Sequence, residues 1–450
     1  MKKTGKTFHI QTLGCKVNQY ESDGISVSLE HQGWEKKQDK TGADVYIINT
    51  CAVTSKAGTQ SRQAIRKIIR ENPDAKVIVT GCHAQTDPDQ IHSIKHVDQV
   101  ICHKDKVGIA DRIHAICDQT APFDFQAPDH TRNNTFKGFD HTVKGEMTRA
   151  YLKIQDGCES FCTYCIVPYA RGSSVSMPEA EVMKHLERLH AAGFKEVILT
   201  GIHTGMYGRD LNPKTTLTRL LQKLNREKPV LRIRLSSIEP TEVDDGLIRL
   251  ATPGNILCNH FHIPLQSGDD AVLKKMKRPY SADMFEKMIQ TVYGRVPNVG
   301  IGLDVMVGFP SETDDQFENT YQLIDRLPVS YLHVFPFSAR KGTPAYHFTP
   351  KVDSKTIKVR TLKLRELDRI KRKRFIESNM GLPLQGLIQH RADDKTGMLK
   401  AVTSNYLTVF LDYKQGLLGK TVDLEIKHCH KDLRLEGDIV SSPTELEANS

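Results

Sequence analysis

The sequence predicts an α/β protein in three parts: an N-terminal parallel-sheet domain, a central partial (β/α)6 barrel and a C-terminal small antiparallel β-barrel. Short apolar runs alternate with helical stretches three times in the first part, and the alternation resumes for six units from Tyr151. The end of the chain holds only short strand-like runs. At 450 residues the chain exceeds the roughly 100–200 residues of one usual domain, so several cores are expected.

The first units are Phe8–Thr12 with a helix from about Gln19, Asp44–Asn49 with a helix from Gly58, and Lys76–Thr80 with a helix from Asp87 onward, in a domain over 1–120. A polar stretch containing Pro and His (APFDFQAPDHTRNNTFKGFDH) then breaks the periodicity, and residues 121–143 read as a linker. Within 144–376, strands are expected at Tyr151–Ile154, Glu196–Thr200, Leu231–Ser236, His260–Leu265, Ile301–Val307 and Tyr331–Phe337. Such alternation fits a partial barrel and equally an open doubly wound sheet. After Asp353, Leu364, Leu367 and Ile370 recur at helical spacing among many Lys and Arg, which predicts a long basic helix. Over 377–442 the runs LQGLIQ, MLKAVT, YLTVFL, TVDLEI and GDIV, separated by polar or glycine-containing turns, predict the small barrel.

Lys and Arg total 63 against 54 Asp and Glu, a net charge of +9 that suits a polyanionic partner, although many proteins this basic bind none. The N-terminus has no long apolar h-region, and no window approaches the roughly 18 apolar residues of a membrane span, so no membrane association and a cytoplasmic location are expected. Ten cysteines in such a chain argue against a disulfide framework and for metal or redox chemistry wherever thiols cluster.

They cluster in QDGCESFCTYC, where Cys158, Cys162 and Cys165 form CxxxCxxC directly after a predicted strand. Three soft thiolates bind three irons of a [4Fe–4S] cube and leave the fourth iron open to a small molecule bearing an amine and a carboxylate. A structural zinc site draws four protein ligands, and this loop carries no fourth Cys or His. A second group is distributed: Cys15 (TLGC), Cys51 (IINTC) and Cys82 (VIVTGC) each follow a predicted strand, and strand C-termini of a parallel sheet share one edge. Gly14 and Gly81, each just before its cysteine, allow close backbone approach. Free cysteines are also common core residues, and Cys102, after VDQVIC, is a rival for the same edge. Cys117, Cys258 and Cys429 read as structural.

The strings TLGCKVNQYES, INTCAVTSKA and VTGCHAQ, followed by CxxxCxxC and HIPLQSG, resemble the methylthiotransferase family of radical S-adenosylmethionine enzymes over nearly the whole chain. The resemblance implies a cluster domain, a radical-cofactor domain and a C-terminal TRAM barrel. It implies two [4Fe–4S] clusters, one on Cys15, Cys51 and Cys82 with Cys102 left outside, the other on Cys158, Cys162 and Cys165, chelating S-adenosylmethionine. GCKVNQYES differs from the GCQMN-like string of tRNA isopentenyladenosine enzymes and the GCPKN-like string of ribosomal protein S12 enzymes. It is similar to the subgroup that methylthiolates carbon 2 of N6-threonylcarbamoyladenosine at tRNA position 37, beside the anticodon. The implied partners are a tRNA bearing that nucleoside, a reductant such as flavodoxin or ferredoxin, and a sulfur donor; a monomer is expected. The alternatives are isopentenyladenosine in tRNA, an aspartate of protein S12, and, in another class, a non-enzymatic iron–sulfur RNA-binding protein, whose clusters would each take four cysteines.

For S-adenosylmethionine the resemblance points to Tyr164 beside the adenine and to Gly201 in LTGIH, where the superfamily often has Gly-Gly-Glu. Ser236, Glu239, Gln266 and Asp304 fall near strand C-termini, where barrel active sites are built and where polar groups also cap helices. The run Arg369, Lys371, Arg372, Lys373 and Arg374 is the expected RNA contact; a charge run by itself is usually a solvated face.

Overall fold

The computed structural model describes residues 5–39, 41–118, 135–139 and 147–441, folded around four sheets and a closed barrel. Most of the expected linker, and residue 442, lie outside the described residues. The first part comprises β1 (Thr7–Thr12), α1 (Lys16–His31), β2 (Glu35–Lys36), β3 (Val45–Thr50), α2 (Ser55–Glu71), β4 (Lys76–Gly81), α3 (Cys82–Thr86), α4 (Pro88–His92), β5 (Gln99–Ile101) and α5 (Ile109–Cys117). Its strands lie in the order β2-β1-β3-β4-β5, every neighbouring pair parallel. All six residues of β3 are buried, as a strand covered on both faces requires, and each buried Val or Ile contributes about 1.5–3 kcal/mol. The helix expected from Asp87 is α4, and a further short helix, α3, precedes it; Pro88 has no N–H to continue α3 and opens α4 at its first turn.

The central part adds β6 (Arg149–Lys153), β7 (Gln155–Asp156), α6 (Val167–Arg171), β8 (Val175–Ser176), α7 (Glu179–Ala191), β9 (Glu196–Thr200), α8 (Leu217–Glu227), β10 (Arg232–Leu235), α9 (Asp245–Leu250), β11 (His260–Gln266), α10 (Asp270–Lys275), α11 (Ala282–Arg295), β12 (Gly300–Val307), α12 (Asp314–Arg326), β13 (Tyr331–Pro336) and α13 (Ser354–Glu377). All six expected strands are present, within two residues at either end. They form two parallel three-stranded sheets, β10-β9-β6 and β11-β12-β13. The basic helix is α13, capped by Asp353, with Leu364 and Leu367 buried.

The last part is β14 (Leu384–Ile388), β15 (Leu399–Thr403), β16 (Thr408–Leu411), β17 (Thr421–Cys429) and β18 (Leu435–Ser441), closed in the order β14-β15-β16-β18-β17. The barrel is not wholly antiparallel: β16 and β18 pair in parallel, Val409 opposite Leu435. The long connection through β17 brings the chain back to β16 from the same end.

Ion pairs join the first two parts, and arginine hydrogen bonds join the last. Glu21 of α1, buried, meets Lys106 at 2.6 Å and Arg171 at 2.9 Å, and Arg171 also bonds Asp156 at 3.0 Å. Arg232 and Arg234 of β10 donate to the carbonyls of Val402 and Thr403 in the terminal barrel. Breaking such a buried pair leaves an uncompensated charge and costs about 3–5 kcal/mol.

Candidate active site

The ends of β1, β3 and β4 do share an edge, and Cys15, Cys51 and Cys82 stand on it. Cys15 is the N-cap of α1, Cys51 directly follows β3, and Cys82 opens α3. Asn18 binds two of these loops together, its amide donating to Leu13 O at 2.7 Å and Thr50 O at 3.1 Å. Thr50 donates to Thr80 O and accepts from Ala84 N–H, which joins the third. Gly81 has φ +100°, and a Cβ there would lie 2.4 Å from the Thr50 backbone; at Gly14 it would lie 2.9 Å from Cys51 Sγ. The expected close approach is therefore between the cysteine loops themselves. Burial pushes the Cys51 thiol up to about 11, with Cys82 and Cys15 as further electrostatic neighbours. Cys102 is buried and directly follows β5, the strand paired with β4.

Cys158, Cys162 and Cys165 follow β7. Gly157 has φ +73° and a Cβ would fall 1.9 Å from Ser173 O, so the turn into the loop admits only glycine. Thr163 pins the loop's middle: its N–H donates to Met276 O, its hydroxyl to Lys275 O, and its carbonyl accepts from Ala345 N–H. Burial raises the Cys158 thiol, but hydrogen bonds with His203, at 3.5 Å, and Ser160 outweigh it and hold the group below its ordinary range. His203 Nε2 meets Glu242 at 2.8 Å; burial lowers the imidazole, yet Cys158 and Glu242 raise it to about 10. Cys162 Sγ accepts from Arg278 at 3.3 Å, and burial pushes Cys165 up to about 12.

The two triads face one seam. Ala52, next to Cys51, packs with Cys82, Ile166 and Ala170 as one buried cluster, and Ile166 is next to Cys165. Arg171, at the end of α6, lies among the electrostatic neighbours of both Cys51 and Cys82. Among the described residues the one group of three metal-ligand side chains with donor atoms all within 4.8 Å of one another is His262, Asp304 and His333. The cysteine triads are more open than a single-ion site, and three soft thiolates each are the donor set of a [4Fe–4S] cluster.

The other expected residues divide. Tyr164 packs beside Val272, Met276, Met306 and Phe309. Gly201 leaves room for Gln155, whose Oε1 accepts from Ile202 and His203 N–H and so holds the loop that carries His203. Ser236 is buried, and Glu239 pairs with Arg278, which links it to Cys162. Gln266 has φ +64° and a buried Oε1 without a hydrogen-bond partner among the described residues. Asp304 accepts from His262 at 2.9 Å and His333 at 3.3 Å; burial opposes its charge, but these two hold it well below the usual carboxylate range.

Lys371 corrects the reading of the basic run. It is buried, and its ammonium caps the carbonyls of Asp325 and Leu327 at the end of α12, so it reaches no phosphate. Arg369 pairs with Glu366, Arg372 with Asp368, Lys373 with Glu377 and Arg374 with Asp325. Sequence reasoning missed His203, Arg278 and Arg171. His203 stands in LTGIH, two positions after Gly201, which was a usable signal; the two arginines carry none.

Residues 7–102 match the uncharacterized protein family UPF0004 and residues 152–324 the radical SAM superfamily. The threonylcarbamoyladenosine tRNA methylthiotransferase MtaB of Bacillus subtilis (strain 168) is 37% identical over 423 residues, 93% of either chain. That of Aquifex aeolicus (strain VF5) is 35% identical over 413 residues, 92% of this chain and 98% of its own. This chain belongs to the MtaB methylthiotransferase family. A tRNA-2-methylthio-N(6)-dimethylallyladenosine synthase of Natranaerobius thermophilus is 30% identical, covering 95% of both chains. Among solved structures, the radical S-adenosylmethionine methyltransferase TsrM from Kitasatospora setae, with cobalamin and a [4Fe-4S] cluster bound, superposes with TM-score 0.57 at 15% identity, covering 76% of this chain and 77% of that one. That likeness concerns the fold alone.

Proposed function

We propose that this chain methylthiolates carbon 2 of N6-threonylcarbamoyladenosine at position 37 of tRNA. The observation that carries the reading is the packing of two cysteine triads against one buried seam, in a chain that aligns over nearly its full length with MtaB relatives. Cys15, Cys51 and Cys82 would hold one [4Fe–4S] cluster, and Cys158, Cys162 and Cys165 a second that takes S-adenosylmethionine. Bound there, the cofactor supplies one-electron chemistry, suited to an aromatic C–H bond that no side-chain base deprotonates.

The chain's own groups prepare that place. Arg278 holds Glu239 beside Cys162, His203 bridges Cys158 and Glu242, and Gln266 offers an unpaired carbonyl oxygen to a donor such as an ammonium. Metal binding takes the thiol protons, so the raised values at Cys51 and Cys165 are overcome by the ion's own charge. The central sheets are read as one partial (β/α)6 barrel: Ile233 bridges Leu257 in parallel and Ile238 N–H donates to His262 O, both across the gap between the sheets. Domains over 1–120, 144–376 and 377–442, the last a TRAM-like RNA-binding barrel, follow the same reading. A reductant such as flavodoxin or ferredoxin and a sulfur donor complete the reaction's electron and atom balance, and tRNA as substrate supports a cytoplasmic site of action.

Anaerobic reconstitution with iron and sulfide tests this, with product followed by mass spectrometry on an anticodon stem-loop bearing the nucleoside. The expected result is about eight irons, falling to about four in the Cys158/Cys162/Cys165 triple Ala variant, with a methylthio product from the wild type. About four irons falling to none, or methylthiolated S12 in place of RNA, would overturn it.

A further inference from the structure

The inner wall of the central sheets carries more positive charge than it pairs. On β11, Phe261, Ile263 and Leu265 belong to the apolar core shared with Phe285 and Ile289 of α11, so His260 and His262 face the opposite side. Arg149, Glu196 and Arg232 are register partners on β6, β9 and β10, and Arg234 follows on the same face of β10. Glu196 is fully buried and accepts from Arg232 at 2.7 Å and from Arg234 at 2.9 Å. Those two arginines direct their other donors to carbonyls of the terminal barrel. Arg149 is left 3.6 Å from Glu196, with a buried Nη1 that has no hydrogen-bond partner.

Lys16 enters the same space from the first turn of α1. Arg234, Arg149, Glu196 and the adjacent Cys15 are its electrostatic neighbours, and among the described residues its ammonium makes no hydrogen bond or ion pair. Asp23, two turns along α1, accepts from Gln19 at 2.9 Å and, with Arg149 and Glu196, is an electrostatic neighbour of Tyr151. Four cations thus surround Glu196; Lys16 has no ion-pair partner among the described residues, and Arg149 has only its 3.6 Å contact with Glu196. A half-buried cluster with more cations than anions is costly unless a further anion enters it.

The rest of the lining is aromatic and polar: His260 stacks on Tyr406 at 4.4 Å, and the Tyr331 hydroxyl lies 2.9 Å from His260 and 3.2 Å from His262. Lys16 directly follows Cys15, which tethers the free cation one residue from the N-terminal triad. Of the two tRNA substituents, threonylcarbamoyl carries a carboxylate and dimethylallyl is an uncharged hydrocarbon.

We propose that Lys16 and Arg149 form an anion subsite that receives the carboxylate of the threonylcarbamoyl group and so selects this nucleoside over a hydrocarbon-substituted one. The inference rests on the substrate proposed above. Its test uses two anticodon stem-loops, one with the free threonylcarbamoyl acid and one with its methyl ester. Reconstituted wild type, Lys16→Gln and Arg149→Gln enzymes are assayed for methylthio product on each, and iron content is measured for every variant. The wild type should prefer the acid by about ten- to a hundredfold in kcat/KM, the range of a charge-assisted hydrogen-bond pair. Each variant should bring that ratio to within about threefold, through a higher KM for the acid and little change for the ester. Equal use of acid and ester by the wild type, or full discrimination kept by both variants, would overturn the subsite while leaving the substrate reading intact. Conversion of neither RNA by the wild type would overturn that reading and the subsite with it. The acid and ester comparison on the wild type needs no variant to fold.

Discussion

Cys158, Cys162 and Cys165 lie on one loop anchored at its middle by Thr163, whereas Cys15, Cys51 and Cys82 sit on three strand ends that only the sheet brings together. The first set depends on local backbone geometry. The second depends on strand register, on Asn18 and Thr50 as cross-links between loops, and on the ion pairs that seat α1 against the central part. A defect in the N-terminal fold should therefore empty one triad and spare the other.

The largest expected effect separates the triads chemically. Triple Ala replacement of Cys158, Cys162 and Cys165 should abolish reductive cleavage of S-adenosylmethionine, whereas triple replacement of Cys15, Cys51 and Cys82 should leave cleavage and abolish the methylthio product. Chromatography of the cleavage products decides it, and loss of cleavage in both would end the comparison.

Next comes the seam. Arg171→Met should destabilise the fold by about 1.5–3 kcal/mol, since buried Glu21 and Asp156 each lose one charge-assisted partner and keep only Lys106 and Lys153. Urea unfolding followed through Trp34, the one tryptophan and buried in the N-terminal part, reports it. The seam also sets an acid limb. Burial alone would raise the Glu21 carboxyl, but Arg171, Lys106 and Lys153 hold it well below its ordinary 4.5. A depressed carboxyl binds fewer protons folded than unfolded, so its stabilisation is present above pH 4.5 and is lost as pH falls further. Glu21→Gln should flatten that limb of a stability-against-pH curve; an unchanged limb would remove Glu21 as its cause.

Gly81→Ala and Gly157→Ala sharpen the contrast at about 2 kcal/mol or more each, as both positions combine positive φ with a backbone clash. The first should lower iron at the N-terminal triad only, the second at the central one, as iron counting on each will show. The smallest effect concerns α13. Arg374→Ala should weaken stem-loop binding about two- to threefold and reduce its salt dependence, whereas Lys371→Ala should lower stability by about 1 kcal/mol without changing RNA affinity. Anisotropy titrations at two salt concentrations measure both.

Strand positions and both cysteine triads were legible because they follow from short apolar runs and from motifs written along the chain. Lys371 was legible too, in principle: it continues the inward stripe of Leu364 and Leu367 at helical spacing, and the charge run concealed it. The expectation of a wholly antiparallel terminal barrel failed at β16 and β18, whose pairing joins segments far apart in sequence.

By itself the sequence determined the order of strands and helices, the local cysteine loop and the strand-end position of the other three cysteines, since neighbouring residues and a fixed backbone repeat suffice for these. Only the tertiary structure decided that the two triads share a seam, that Arg171 lies at it while Arg278 and His203 reach Cys162 and Cys158, and that Lys16, among the described residues, stands without an ion-pair partner near Arg149 and Glu196. Those facts depend on where long side chains from distant segments come to rest, and no local period encodes that.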